Sequence, residues 1–211
     1  MNLPIGGNLV SVPGSKSIAN RALVCAALAN GESDIYNCAP GDDTEAMIEA
    51  LNTMGVATHQ NLNQLNVCGP LNLQDSSPMH LNAKLAGTTS RFLTGLCCLR
   101  KGKTVIDGEM SLQRRPMNDL HSALSALGAN IVALKEPGRL PVQVSKGDHW
   151  GAKISISADV SSQFTSALMM IGPYLPSGLE ITLGHEIVSR GYIEMTVGVM
   201  RAFGAKTDFR E

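Results

Sequence analysis

The sequence has few charged residues, which make up 17% of its 211 positions. A typical soluble protein has roughly 25%. The net charge is -1 at pH 7, and no run of basic residues is interleaved with aromatic side chains. These absences argue against a nucleic-acid-binding surface, which needs clustered positive charge. Each charge that does occur beside an apolar segment is therefore more informative than usual.

Other absences exclude further classes of protein. The cysteines are odd in number and show no CxxC or Cys/His spacing typical of a zinc site. We interpret them as reduced, mostly buried thiols: Cys25, Cys38, Cys68, Cys97 and Cys98. No basic stretch followed by a long apolar segment opens the chain, and no apolar run approaches about 18 residues. We expect a cytoplasmic protein that does not enter a membrane.

The standard nucleotide-binding motifs are also missing. GSKS lacks the spacing of a Walker loop, and no GxGxxG follows a predicted strand. Asp42 and Asp43 form a possible pair of catalytic carboxylates, but they lie at a predicted helix start, which favours capping. The histidines are isolated from one another in sequence, and we interpret each as a structural or surface residue: His59, His80, His121, His149 and His185.

An internal repeat is present. Three segments begin with small hydroxyl residues and continue as apolar helical runs: GSKSIANRALVCAALANG, AGTTSRFLTGLCCLRKG and SSQFTSALMMIGPYLPSG. Lys16, Thr88 and Ser162 occupy equivalent positions in these segments. A second, more amphipathic series ends at Gly55, Gly128 and Gly204. Equivalent landmarks lie 71 to 76 residues apart, which predicts one structural unit used three times.

Each unit has a predicted order of strand, helix, strand, helix and hairpin. Alternating runs (NLVSV, MHLNAK and KISISAD) predict the first strand. The first helix begins at hydroxyl residues and is nearly apolar all round, which predicts burial on most faces. We expect it to end at Gly31, at Gly102 and, in the third unit, at Pro173 and Pro176 before Gly178. EPGR is the predicted turn of the second hairpin.

These patterns predict an α/β (α+β) fold of βαβαββ units over about residues 8–72, 79–150 and 151–211. The third unit is unfinished, because AKTDFRE after Gly204 supplies an outgoing strand without a return. A strand at an open edge is a stability liability. We therefore expect a chain cut inside a larger protein. Residues 1–12 would form an N-terminal strand and crossover segment near a missing second domain, and residues 13–211 would form one domain.

The helix starts are the candidate binding site. A helix N-terminus has free N–H groups and about half a positive charge, so it attracts anions. Side chains strengthen this preference at the three first-helix starts: Lys16, Ser17 and Arg21; Thr88, Thr89 and Arg91; Ser161, Ser162 and Gln163. The second start follows Gly87, a glycine that lets a ligand approach the backbone closely. The second helices add Arg114, Arg115, Ser189, Arg190 and Tyr192. The pattern predicts a site for a phosphorylated small molecule. N-capping remains the alternative for the hydroxyls, and a solvated surface for the cations.

The segment VPGSKSIANRAL resembles the enolpyruvyl transferase family. The resemblance continues in order through DDTEAM, AGTTSRFLT, QRRPM, LGA, LPVQV, VSSQFTSALMM, VSRGYIEMT and FGA, from about residue 8 to residue 205. Members of the family have two domains, each made of three βαβαββ copies in an inside-out α/β barrel, with substrates bound in the cleft between them. The resemblance implies that this chain is the N-terminal half of such a protein.

The resemblance implies a transferase that moves the enolpyruvyl group of phosphoenolpyruvate to the 5-hydroxyl of shikimate 3-phosphate and releases phosphate. This reaction belongs to aromatic amino acid biosynthesis and is the target of glyphosate. The resemblance implies no metal or organic cofactor, a monomeric full enzyme, and as partners only the two substrates and the missing C-terminal domain. This half alone is expected to be inactive. Two alternatives stay open: a non-catalytic binding module with the same fold, and an enzyme of the UDP-N-acetylglucosamine branch.

The resemblance also assigns substrate contacts residue by residue. Lys16 would contact both substrates and is the catalytic candidate. Shikimate 3-phosphate would be bound by Lys16, Ser17, Arg21, Ser161, Ser162, Gln163, Ser189 and Tyr192. Phosphoenolpyruvate would be bound by Lys16, Gly87, Arg115 and Gln163. The main acid/base carboxylates and three further basic ligands belong to the other domain.

Some positions depart from the family pattern. Lys84 and Leu85 stand where the family usually has glycine and asparagine, in the loop before the predicted phosphoenolpyruvate contact at Gly87. These two departures leave the response to glyphosate open. The other departures are Arg190 and Gly191, where lysine and proline are common, and Ala19 and Gly41, where serine is frequent.

Overall fold

The structure is a computed structural model that describes residues 14–39, 41–156, 161–184 and 189–209. Its helices are α1 (Lys16–Leu28), α2 (Asp42–Thr53), α3 (Gly87–Cys97), α4 (Met110–Gln113), α5 (Asn118–Ala126), α6 (Ser162–Ile171) and α7 (Arg190–Ala202). Its strands are β1 (Gly31–Tyr36), β2 (Ala57–Asn61), β3 (Gln64–Gly69), β4 (Met79–Asn82), β5 (Thr104–Asp107), β6 (Asn130–Ala133), β7 (Val142–Ser145), β8 (Lys153–Ile156) and β9 (Glu180–Leu183). This mixture confirms the predicted α/β fold class.

The strands form three small sheets. The first has the antiparallel order β1-β3-β2. The second has the order β4-β5-β7-β6, in which β4 and β5 are parallel and the remaining pairs are antiparallel. In the third, β8 and β9 are parallel. The strands β1 and β5 thus each pair with the return strand of a hairpin, whereas β9 has no such partner in the described ranges.

The predicted unit is present in full between residues 79 and 145, where the unpredicted short helix α4 is added. The opening strand of the first unit, at residues 8–12, and the whole segment 1–12 lie outside the described residues. The predicted outgoing strand after Gly204 is wrong for residues 205–209, which form no strand. In the two complete hairpins the outgoing strand bonds only to the return strand, so it needs a return strand to form. The number of units stays a prediction.

The first helices end earlier than predicted. The helix α1 ends at Leu28, and Gly31, with a φ of 94°, opens β1 instead. The helix α3 ends at Cys97. Gly102 does not end the helix but allows close packing of the backbone, because a Cβ there would lie 2.3 Å from the carbonyl oxygen of Ser77. In the third unit, α6 ends at Ile171 and a 3-10 helix continues to Tyr174.

One hydrophobic core connects α1, α3 and α6 with the sheets. The helix α1 has 10 buried residues out of 13, which confirms the prediction from its all-round apolar sequence. Leu23, Leu93 and Leu168, one from each of these helices, have no exposed surface. Because the three helices pack on one another, the residues at their starts are held by a common interior.

All five cysteines are free thiols, and Cys25, Cys97 and Cys98 are buried. Burial raises the pKa of the Cys25 and Cys97 thiols to about 12, so both stay protonated near neutral pH. These observations confirm the interpretation of the cysteines as mostly buried thiols. Among the described helices, none is long and apolar enough to cross a membrane.

Candidate functional site

The starts of α1, α2 and α3 meet through a buried threonine. The Thr89 hydroxyl of α3 donates a 2.8 Å hydrogen bond to the carbonyl oxygen of Asp43 in α2, and lies 3.2 Å from Asn20 Oδ1 in α1. Asn20 in turn donates to the carbonyl oxygen of Lys16. The Lys16 Nζ lies 3.9 Å from Asp43 Oδ2, and its side chain is 58% exposed. The starts of α1 and α3, two of the three first helices, are therefore held together, and the start of α2 joins them.

Arg21 joins α1 to α6 and α7. Its Nε donates to Thr196 Oγ1 at 2.7 Å, its Nη1 to the Ser17 carbonyl oxygen at 2.8 Å, and its Nη2 to Ser166 Oγ at 2.9 Å. The residue is 1% exposed, so the alternative of a solvated surface cation is wrong for Arg21. Three of its five N–H groups have partners in these bonds.

The positive charge of Arg21 has no carboxylate partner among the described residues. Instead, its guanidinium carbon lies 5.2 Å from the centroid of the Phe92 ring and 5.8 Å from that of Tyr192. Burial lowers the pKa of Arg21 to about 10. It still carries its charge near neutral pH, and two aromatic rings stabilise it in place of a counter-ion.

A second arginine, Arg91, lies between α3 and α6. Its Nη1 donates a hydrogen bond to Gln163 Oε1, and its guanidinium carbon lies 5.2 Å from the centroid of the Phe164 ring. Its Nε is buried and has no hydrogen-bond partner in the described part of the chain. Burial and the nearby charge of Arg115 both lower the pKa of Arg91.

Gly87 is the reason that Arg115 reaches the start of α3. A Cβ at position 87 would lie 2.7 Å from Arg115 Nη1 and 3.6 Å from Arg91 Nη1. A side chain at position 87 would therefore displace the end of the Arg115 side chain, whereas 3.6 Å is an ordinary contact distance for Arg91. The sequence alone predicted that Gly87 lets a ligand approach; it did not show that Gly87 first makes room for Arg115.

Capping accounts for only some of the helix-start residues. Ser15 Oγ accepts from the Ile18 amide, and Ser161 Oγ accepts from the Gln163 amide, each at 3.4 Å. Ser162 makes no cap bond and is the first residue of α6. Ser189 is at the start of α7 with a φ of 64° and also makes no cap bond. The structure thus leaves the hydroxyls of Ser162 and Ser189 without a capping role.

The expected capping role of the two aspartates is wrong. The cap position of α2 is Gly41, which has no side chain to bond, and Asp42 and Asp43 are in the first turn. There they interact favourably with the helix dipole through their charge. Asp43 also provides the carboxylate nearest to Lys16 in the described residues.

The histidine interpretation is confirmed for the four that the structure describes. His59 and His149 are exposed, and His80 Nε2 lies 3.8 Å from Asp107 Oδ2 at the surface. His121 is 6% exposed, and burial lowers its pKa to about 4. His185 lies outside the described residues. Across the described ranges, no group of three or more His, Cys, Asp or Glu side chains is arranged to hold a metal ion.

Lys84 has a left-handed backbone, with a φ of 52°. Glycine adopts this conformation easily, whereas a residue with a Cβ does not. The Lys84 Nζ lies 2.7 Å from Glu49 Oε1, and its amide donates to Asn82 Oδ1. The loop before Gly87 is therefore held by side-chain bonds of Lys84 and Asn82 at a position where the backbone favours glycine.

A cavity of about 830 Å³ lies away from the helix starts, along β9 and α7. Apolar side chains such as Ile181, Ile193 and Met200 line it. It adjoins the strand edge that lacks a hairpin partner, so it is a gap in the packing of the third unit.

The arginine partners Thr196, Ser166, Phe92 and Phe164 were missed by the sequence analysis. Each lies inside a helical segment with no other feature in the sequence that marks it as an arginine partner. Only the positions of the arginines themselves, inside or beside apolar helices, gave a signal. The contacts that hold them depend on which helices pack together, which sequence does not show.

Comparison with known proteins agrees with this architecture. The chain matches the family model described as EPSP synthase (3-phosphoshikimate 1-carboxyvinyltransferase) over residues 4–210. It is 38% identical over 203 residues to the 3-phosphoshikimate 1-carboxyvinyltransferase of Haemophilus ducreyi, covering 92% of this chain and 46% of that protein. It is 36% identical to the protein of that name from Shewanella pealeana, covering 93% and 47%. The chain thus spans about half the length of these curated relatives.

Solved structures give the same result. EPSP synthase from Acinetobacter baumannii superimposes with a TM-score of 0.81 at 26% identity, covering 95% of this chain and 44% of that one. The enolpyruvyl transferase NikO from Streptomyces tendae has a TM-score of 0.64 at 18% identity, covering 90% and 43%, and supports the fold alone. The family model, the curated relatives and the fold agree, and on this basis the chain belongs to the EPSP synthase family.

Proposed function

We propose that this chain is the N-terminal half of an enzyme that transfers the enolpyruvyl group of phosphoenolpyruvate to the 5-hydroxyl of shikimate 3-phosphate and releases phosphate. The observation that carries the proposal is the guanidinium of Arg21, which is buried and has no carboxylate partner in the described residues. Arg91 is only partly buried and donates a hydrogen bond to Gln163, so Arg21 is the stronger observation.

A buried charge without a counter-ion costs several kcal/mol even after the protein relaxes around it. A fold that keeps such a cation near its helix starts is best explained by an anionic ligand that completes it. Hydrogen bonds within the protein account for three of the five N–H groups of Arg21. Both proposed substrates are anions, and shikimate 3-phosphate carries a phosphate suited to a guanidinium fork.

The proposed contacts form two groups, one for each anionic substrate. Around Arg21, shikimate 3-phosphate would contact Lys16, Ser17, Ser161, Ser162, Gln163, Ser189 and Tyr192. Around Arg115, phosphoenolpyruvate would contact Lys16, Gly87 and Gln163. Placing the two anions side by side requires that their repulsion be offset by fixed cations and donors. In this proposal the N-terminal half binds and orients the substrates, and the acid/base carboxylates belong to the other half.

The cellular context follows from the same proposal. We propose a cytoplasmic enzyme of aromatic amino acid biosynthesis, monomeric when both halves are present, that uses no organic cofactor or metal and is a target of glyphosate. Its partners would be the two small-molecule substrates and a C-terminal domain. A non-catalytic binding module with this fold is the second candidate, because the described chain contains binding residues but not the second wall of the cleft.

Titration and complementation test the proposal together. We expect the 211-residue chain to bind shikimate 3-phosphate in calorimetry and to release no phosphate from the two substrates by itself. Adding the C-terminal half of the Haemophilus ducreyi relative should then produce phosphate release. Binding without complementation would favour the non-catalytic module. A folded chain that shows neither binding nor complementation would remove the support for the enzyme.

Lys16→Met tests the catalytic candidate. Its side chain is 58% exposed and only loosely paired with Asp43, so its loss should cost little stability. Turnover of the complemented enzyme should fall by at least about a hundredfold, because a fixed cation at the reacting anions is lost. Lys153→Met removes a more exposed lysine, which pairs with Glu180, and serves as the control. Near-normal turnover of the Lys16 variant would refute the role.

A further inference from the structure

We infer that Arg91 is a positioning residue that fixes the side-chain amide of Gln163, so that the amide's Nε2 group faces the substrates. The inference rests on the proposed function, in which Gln163 contacts both anions. Arg91 itself is not among the residues assigned to substrate binding, and its proposed effect passes through Gln163.

The hydrogen-bond chemistry of the pair determines the orientation of the amide. An arginine guanidinium only donates, so it bonds to the oxygen end of a glutamine amide and never to the nitrogen end. Arg91 Nη1 donates to Gln163 Oε1. The Nε2 group, with its two N–H donors, must therefore point away from Arg91. An anion needs donors, and a flipped Gln163 would present an acceptor to it instead.

The surroundings of Arg91 keep its guanidinium in one place. The Phe164 ring, 5.2 Å from the guanidinium carbon, supports one face, and Phe164 directly follows Gln163 in α6. Arg91 Nη1 also lies beside Gly87, 3.6 Å from the position that a Cβ would take there, which is an ordinary contact distance. The buried Nε makes no bond among the described residues, so no other protein group competes for the orientation of Arg91.

The positive charge of Arg91 also favours a bound anion. Arg115 is close enough to lower the pKa of Arg91 through its charge, so the two cations repel each other in the free protein. An anion bound beside Gly87 would relieve that repulsion. The same ligand would accept hydrogen bonds from the Gln163 Nε2 group. The arginine pair and the oriented amide therefore both favour a negatively charged ligand.

Calorimetric titration of the 211-residue chain with shikimate 3-phosphate tests the inference in a double-mutant cycle. Arg91→Met should weaken binding by about tenfold, as expected for the loss of an oriented donor to a charged group. Gln163→Leu should weaken it by a similar factor, and the double variant by no more than either single change. Arg91→Lys should restore part of the affinity, because lysine also only donates.

Arg139→Met is the matched control, since Arg139 forms an exposed ion pair with Glu136 and its loss removes the same charge. The Arg91 variants must keep the circular dichroism spectrum of the unaltered chain, and Arg91→Lys keeps the test valid if Arg91→Met does not fold. Normal affinity in a folded Arg91 variant, or two single losses that multiply in the double variant, would overturn the inference. An unaltered chain that does not bind would instead overturn the proposed function.

Discussion

The sequence indicated candidate residues at the helix starts but not the environment of each side chain. The sequence indicated Arg21 as a candidate because a charge inside an apolar helix is rare. It did not indicate that Thr196, 175 residues away, would bond to its Nε. Sequence periodicity locates a residue on its own helix, whereas its partners depend on tertiary packing. Candidate residues were therefore predictable here, and the network that holds them was not.

Gly87→Ala separates a binding effect from a folding effect. The new methyl group would meet Arg115 Nη1 at 2.7 Å, and the end of an arginine side chain can move away at little cost. We expect thermal stability to be retained. In the complemented enzyme, the Michaelis constant for phosphoenolpyruvate should rise by about tenfold, because a charge-assisted contact is misplaced. Gly198→Ala is the control, since nothing lies within 4 Å of a Cβ at that helical position. An unchanged Michaelis constant for the Gly87 variant would contradict this reading.

His121 makes the stability of the fold depend on pH. It is buried, its Nε2 has no partner among the described residues, and burial lowers its pKa from 6.5 to about 4. Because the folded pKa is the lower one, the unfolded chain binds the proton first. Stability is therefore complete above pH 6.5 and is lost as the pH falls toward 4, by on the order of 3 kcal/mol.

Urea unfolding at pH 7 and pH 4.5 measures this loss. His121→Gln should flatten the dependence across that window, whereas His59→Gln, at an exposed position, should leave it unchanged. An equally steep loss in the His121 variant would show that another group is responsible. Hydrogen bonds from Ser77 hold the pKa of Asp75 below its usual value of 3.8. The stability that Asp75 contributes is therefore lost at a lower pH than the His121 contribution.

At the scale of elements, a buried arginine fastens the segment between β3 and β4 to the second unit. Arg100 is fully buried, and its Nη2 lies 2.8 Å from Asp75 Oδ2. Its Nη1 also donates to Thr104 Oγ1 at 2.7 Å. Asp75 is partly exposed. The two partners of this ion pair thus differ in burial, and their substitutions should differ in effect.

We expect Asp75→Asn to lower the thermal midpoint more than Arg100→Met does. The first change leaves a buried cation without its counter-ion, whereas the second leaves a carboxylate that water can reach. Thermal unfolding followed by circular dichroism at pH 7 gives the order directly. Asp34→Asn, at an exposed strand position bonded to Asn66, is the control. The reverse order for the Asp75 and Arg100 variants would mean that Arg100 acts mainly through its packing.

Most helices and strands were predictable, but two kinds of element were not. Period-two and period-3.6 patterns gave the bodies of the elements correctly. The short helix α4, Met110–Gln113, has too few residues to show a period. The outgoing strand after Gly204 failed for another reason, because its pattern is local whereas its hydrogen bonds must come from a second strand.

At the scale of the whole molecule, the sequence predicted the fold class and the anion site through its internal period. Those predictions needed only comparison of the chain with itself. The positions of the unit cores and of the helix starts follow from that period. The period does not show how α1, α3 and α6 combine into one core, because it contains no information on how neighbouring units pack together.

The guanidinium groups of Arg21 and Arg91 have no carboxylate partner in the described part of the chain, and this has a consequence for handling the protein. A fold that holds unbalanced cations responds to the ions dissolved around it, by mass action rather than by any change in its contacts. We expect phosphate and sulfate in a buffer to act on it as weak substitutes for the proposed anionic substrates, and chloride to do so less. The thermal midpoint of the same preparation should therefore be higher in a phosphate buffer than in a chloride buffer. Its apparent affinity for an anionic ligand should be lower in the phosphate buffer, because phosphate competes for the same cations.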